Sequence, residues 1–277
     1  MENYGKALKE VGFNYLGGLK NSAKMMKSFE HHVLTYCVYL APANLAGRTN
    51  RGSRINVCPK SEHCRDLCLN ASGHNKADIL SNGKKDKRKS SINQSRIKKT
   101  KLFYNNRDLY MDLLTHEINR DKKYAKRNGY EFSVRLNGTS DLSPEIMRRN
   151  GKNILEIFPD VQFYDYTKVY TRTKLAKIYP NYDITFSFDG YNWNDCEKYL
   201  NDGGKVAVVF DTHNLPKTYK GYKVIDANGY DMRYMDPDGC IMGLTFHVVA
   251  VDGKVIHAND TDNKFVVKTE NNKDCTF

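Results

Sequence analysis

Short runs of β-branched and aromatic residues recur along the chain, each closed by turn residues and separated by polar stretches in which apolar positions return every three or four residues. Residues 33–40, 132–136, 161–166, 184–188, 206–210 and 222–225 read as strands, and residues 105–127, 143–157, 170–179 and 194–200 as helices. In the first helix Leu109, Leu113, Leu114, Ile118 and Ala125 fall on one side. A sparser helical pattern covers 81–104, with Ile92, Ile97 and Phe103 as its apolar face. Repeated strand, helix, strand units of this length build a parallel sheet with right-handed crossovers, so the expected fold is α/β, a partial (open) βα barrel. Past Asp226 the pattern changes: 240–251, an Asp252-Gly253 turn and 254–257 predict a C-terminal antiparallel hairpin. Residues 1–250 therefore read as one barrel-like domain holding a cysteine loop at 54–74. Residues 251–277 read as a polar C-terminal extension whose last part, from Asn259, is expected to fray.

Composition narrows the class. An apolar fraction of 40% in 277 residues, with no run of 18 apolar positions, argues against a membrane protein. The first residues carry no apolar segment behind a basic one, which makes a secretory signal unexpected and the cytoplasm the default location. Lys and Arg number 44 against 32 Asp and Glu, a formal +12 that favours polyanionic partners such as a nucleic acid or nucleotide. Much of the excess is local, since Lys84 to Lys101 holds nine basic residues and one acid. That segment reads either as a phosphate-contacting surface or as a solvated helix face.

Seven cysteines, an odd number without an export signal, do not suggest a disulfide framework. Their spacing matters more: Cys58, Cys64 and Cys68 form C-x5-C-x3-C, a metal site by density. Three thiolates can fill three of the four iron positions of a [4Fe–4S] cluster and leave one iron open. The alternatives are Zn in a closed Cys3His site completed by His63 or His74, and a cysteine loop that holds no metal. No Gly-rich phosphate loop is present, which disfavours ATP and NAD chemistry.

In parallel α/β architectures ligands bind beyond the carboxyl ends of the strands. Those ends here carry Asn137-Gly138-Thr139-Ser140-Asp141, then Asp165-Tyr166-Thr167-Lys168, then Ser187 and Asp189, then Asp211, then Asp226. Either these groups form a site or the acids cap the elements that follow. The segment from Asp226 through Asp231 and Arg233 to Asp236 reads equally as part of a site or as a turn held by Asp–Arg pairing. Trp193 reads as helix-start packing, and Tyr164, Tyr166, Tyr170 and Tyr179 as pocket-lining or base-stacking candidates.

The segments 36–42, 57–70, 134–141, 159–168 and 206–210 together resemble the phage "gene product 88" family, over roughly residues 33 to 245. That family brings no established function, and for a phage-encoded chain the location becomes the host cytoplasm. The Asn-Gly-Thr-Ser-Asp strand end following a cysteine loop also resembles radical SAM proteins of the spore-photoproduct-lyase-like type. That second resemblance implies a [4Fe–4S] cluster on Cys58, Cys64 and Cys68 and S-adenosylmethionine cleaved to a 5′-deoxyadenosyl radical. Gly138, Thr139, Ser140 and Asp141 would face the methionyl amine and ribose, with Leu67 against adenine. Asp165 and Lys168 would contact the carboxylate or substrate, and Asp141, Lys168 and Asp165 would be the catalytic set. The spacing departs from the usual C-x3-C-x2-C of that group.

Overall fold

The structure is a computed structural model that describes residues 3–20, 23–81 and 87–277. It is mixed α/β, its strands pair mostly in parallel, and no pairing among the described residues closes a barrel. Two compact units emerge, one made of 1–59, 88–165 and 179–183, the other of 60–87, 166–178 and 184–277.

In the first unit Val33–Val38 pairs in parallel with Glu131–Arg135, which pairs in parallel with Gln162–Thr167 at Ser133 and Val134. Gly17–Gly18 adds an antiparallel edge to Val33–Val38. All six residues of that strand are buried, as expected of a strand covered on both faces. The crossover is the long helix Arg107–Arg127, started by Asn106, whose side chain accepts from the Leu109 amide. Its buried face holds Tyr110, Met111, Leu113, Leu114, Ile118 and Ala125, close to the stripe read from the sequence, and also the acids Glu117 and Asp121. Glu117 is fully buried and accepts from Tyr4 Oη at 2.6 Å, Tyr36 Oη at 2.6 Å, and the Leu16 and Gly17 amides at 2.8 Å each. Gly17 is needed there, because a Cβ would sit 2.4 Å from the Tyr36 ring.

In the second unit the part of Tyr182–Ser187 from Thr185 onward pairs in parallel with Lys205–Phe210, then Ile241–Thr245, then Tyr222–Asp226. Its main apolar cluster gathers Phe186, Phe188, Cys196, Leu200, Val206, Val208, Phe210 and Ile241.

The six predicted strands are present within a residue or two at each end. Of the predicted hairpin only Val249–Val251 against Lys254–Ile256 is present, with Asp252 and Gly253 both at positive φ, while Ile241–Thr245 from its expected first arm pairs in parallel in the large sheet. Further expectations change, and residues 170–179 hold a 3₁₀ turn, Tyr170–Arg172, and a short helix, Leu175–Ile178, in place of one helix. Residues 143–157 are not one helix: Pro144–Ile146 is a single 3₁₀ turn, Arg148–Arg149 and Lys152–Asn153 form a tight antiparallel pair through Asn150 and Gly151 at positive φ, and only Ile154–Ile157 is helical. The helix in 81–104 begins at Ser91, capped by Ser90, and residues 82–86 lie outside the described residues. The tail after Asn259 is tied in: Val266–Val267, buried, pairs in parallel with Lys205–Phe210, and Cys275–Thr276 pairs with Thr218–Tyr219. Among the described residues no helix is long and apolar enough to cross a membrane.

Candidate functional site

At the carboxyl end of Glu131–Arg135 the chain makes a tight turn that Asn137 organises. Its side-chain oxygen accepts from Ser140 Oγ at 2.7 Å and from the Leu142 amide at 2.9 Å, while its Nδ2 donates to Leu142 O at 2.9 Å. Asp165, at the carboxyl side of the neighbouring strand, receives the Asn137 amide at 2.8 Å and Nδ2 at 3.0 Å, and Tyr182 Oη donates to it at 3.3 Å. Asp165 is 2% exposed. Burial raises its carboxyl to about 7, with Arg135 and the Asn137 and Tyr182 donors pulling the other way. Gly138 closes the turn against the neighbouring chain end, donating to Val38 O; a Cβ there would meet the Tyr39 ring at 2.6 Å and Val38 O at 2.8 Å. Thr139 Oγ1 donates to Leu40 O at 2.5 Å.

Cys58 stands beside this turn. Its sulfur accepts from the Ala43 amide at 3.3 Å and lies 3.8 Å from Thr139 O, and the Asp141 amide donates to Val57 O at 2.7 Å. The first cysteine and the Asn137 to Asp141 turn, some eighty positions apart in sequence, thus share one face of the first unit.

Cys64 and Cys68 belong to the second unit. Cys68 Sγ accepts from the Asn70 amide at 3.5 Å, and Cys64 Sγ lies 4.0 Å from Ser61 O. Leu67 is 5% exposed in an apolar cluster with Ala71, Phe246, Val249 and Val266. Lys168 is also in this unit, with Nζ 5.1 Å from the Phe265 ring. Among the described residues no three His, Cys, Asp or Glu side chains are gathered to hold a metal ion. The donors nevertheless fit a soft metal in kind. Cysteine sulfurs are the soft ligands that zinc and iron–sulfur centres select. By contrast Cys37, Cys196 and Cys240 are buried, and burial pushes the Cys196 thiol far up.

The family model described as Gene product 88 matches residues 15–269. The chain belongs to the gene product 88 family. No curated protein and no solved structure matches it. The family resemblance read from the sequence is therefore established across most of the chain, and the radical SAM resemblance gains no support from these comparisons.

Two further segments come out differently from their sequence reading. In the basic run, Lys99 is 6% exposed, with its ammonium 4.6 Å from the Tyr15 ring centre and its pKa lowered to about 8 by burial. Arg96 lies over the Tyr39 ring and Lys98, itself exposed, donates to Gly12 O, so the run is partly structural; Arg88, Lys89 and Lys101 are exposed as a contact surface would require. The acidic segment after 226 is the turn held by Asp–Arg pairing: Arg233, fully buried, lies 3.1 Å from Asp236, and Tyr166 Oη donates to Asp231. Sequence reasoning placed Asn137 in the strand-end segment but gave it no role of its own. The signal was available, since an Asn immediately before Gly at a strand end is a turn-builder.

Proposed function

We propose that this gene product 88 protein is a cysteine-ligated iron–sulfur protein of the radical-SAM-like kind that acts on a nucleic acid or nucleotide. The observation that carries the reading is the Cys58 sulfur lying against the Asn137 to Asp141 turn, where a metal-bound thiolate would stand beside a strand end able to receive a cofactor. Cys58, Cys64 and Cys68 would hold the metal, and a cluster with one open iron would supply the electron that cleaves S-adenosylmethionine. Gly138, Thr139, Ser140 and Asp141 would form the cofactor face of the turn. Asp165 acts one step back: both its oxygens are spent on Asn137 and Tyr182, so it positions the turn instead of touching a ligand. Lys168 would contact substrate, and Leu67 would pack under the cysteine loop. The competing reading is a non-catalytic DNA- or RNA-binding module in which the same cysteines hold zinc.

Anaerobic purification with assays for iron, sulfide and zinc separates these. Iron and sulfide that are retained in Cys275→Ser but lost in Cys64→Ser support the cluster, and Asp141→Ala should then abolish dithionite-driven release of 5′-deoxyadenosine while keeping the cluster spectrum. One zinc per chain with no iron after reconstitution selects the binding module. Equal metal content in the two cysteine variants rejects the site in either form.

A further inference from the structure

At the carboxyl end of Tyr182–Ser187 the loop 189–192 is fixed by reciprocal hydrogen bonds: Asp189 Oδ1 accepts from the Tyr191 and Asn192 amides at 2.9 and 3.0 Å, and Asn192 Oδ1 accepts from the Asp189 amide at 2.9 Å. Gly190, at φ +100°, lets this loop lie against the backbone of Lys264, where a Cβ would come within 2.7 Å of the carbonyl carbon. The effect is to hold out Tyr191, 61% exposed, as a ring that stands on a rigid stem. His63 packs under it at 4.2 Å between ring centres, and the Lys264 ammonium lies 5.2 Å from it. Tyr191 borders a groove of about 550 Å³ shared with Phe188, Trp193, Tyr219, Lys264 and Lys268. That volume is within the range of small-ligand clefts, about 300–1,000 Å³. Two acids, Asp262 and Asp274, also line the groove, but Asp274 is neutralised by Lys220 at 2.6 Å. Trp193 is held edge-on by Phe188 and Tyr219, which makes it a wall of the groove more than a platform.

A preset aromatic face flanked by ammonium groups matches one repeating chemistry, a planar base followed by a phosphate. Duplex nucleic acid hides its base faces by stacking, so the ring can be used only by unpaired bases. We propose that the groove bordered by Tyr191, Trp193 and Lys264 is a binding site for single-stranded nucleic acid, with one base stacked on Tyr191 and the adjoining phosphate paired with Lys264. This rests on the nucleic-acid part of the function proposed above and is independent of the metal.

Trp193 is the one tryptophan in the chain and it lines this groove, so its fluorescence responds to a ligand bound there. The full chain is titrated with a fluorophore-labelled oligothymidylate while anisotropy of the label and Trp193 emission are followed together. The expected result is saturable quenching of Trp193 that tracks the anisotropy. Tyr191→Ala should weaken binding about fivefold or more, Tyr191→Phe should keep it, and Lys264→Ala should lower the salt slope by about 0.7. Both side chains are exposed, so the variants leave the fold intact. Binding by anisotropy with Trp193 unchanged, or with equal affinity in Tyr191→Ala, overturns the groove as the site and leaves nucleic-acid binding standing. A duplex of the same length that quenches equally overturns the single-strand assignment, and no binding in either signal removes both.

Discussion

Replacing Asp165 by Asn should alter the pH dependence of stability more than stability itself. Below about pH 4 the carboxyl is protonated in the folded and unfolded chain alike, since the ordinary value is 3.8. Between there and about 7 the unfolded chain loses the proton while the folded chain retains it, so stability falls as pH rises, by about 1.4 kcal/mol per unit. Above about 7 both states are ionised and the loss levels off on the order of 4 kcal/mol. An amide at 165 has no such slope. Its oxygen still accepts the Asn137 amide, but its Nδ2 faces the Asn137 Nδ2 donor, which costs about 1–3 kcal/mol at any pH. The variant should therefore be the less stable protein at pH 5 and should close the gap by about 3 kcal/mol by pH 8. Urea midpoints of both proteins at pH 5, 6, 7 and 8 read this directly. Parallel curves over that range would refute the reasoning, because they would mean that the buried carboxyl is ionised throughout.

Gly138→Ala forces a methyl group against a ring and a backbone oxygen and should cost about 1–3 kcal/mol, whereas Gly5→Ala, with nothing within 4 Å and inside the helix Tyr4–Val11, should gain about 0.5 kcal/mol; thermal midpoints moving in opposite directions check the pair. Glu117→Gln replaces one of two oxygens that together receive four donors and should lose about 2–4 kcal/mol, with Tyr4→Phe losing less, as measured by urea unfolding. Charge reversal at Arg88, Lys89 and Lys101 should lower the salt slope of duplex binding by about 0.9 for each phosphate that is no longer neutralised, and an unchanged slope returns the run to an ordinary solvated face.

The strands were legible because β-branched and aromatic runs between turn residues leave few alternatives, and the long helix because its apolar stripe repeats over five turns. The stretch 143–157 was not. Its apolar spacing suits a helix, but Asn150-Gly151 takes positive φ at both residues and folds the chain back, a local preference that outweighs periodicity. The tail misled for the opposite reason. It is polar on average, yet two adjacent valines suffice to seat it beside Lys205–Phe210. In the basic run, charge alone hid the fate of Lys99, since a long aliphatic stem can be buried against Phe13 and Tyr15 with its ammonium over their rings.

Read along the chain, Asp165, Asp189, Asp211 and Asp226 invite a shared catalytic role. Each instead spends an oxygen on loop backbone: Asp165 on the Asn137 amide, Asp189 on Tyr191 and Asn192, Asp211 on Thr269, Asp226 on Asn228. A parallel strand that stops must hand its chain to a loop whose amides have lost their ladder partners, and a short carboxylate at that point satisfies them and fixes the loop's direction. In the functions proposed above, ligands meet what the fixed loops hold out. In the first unit that is the Gly138 to Asp141 turn beside the Cys58 sulfur, and in the second it is the Tyr191 ring beside Lys264. Neither depends on the aspartates as acids or bases. Asp189→Asn, which keeps an oxygen for the Tyr191 amide, should therefore preserve oligonucleotide affinity within about twofold, whereas Asp189→Ala, which frees the stem of the ring, should weaken it by an amount approaching that of Tyr191→Ala. Equal losses in the two aspartate variants would assign the carboxylate a direct role in binding and overturn the division between acids that build loops and side chains that meet ligands.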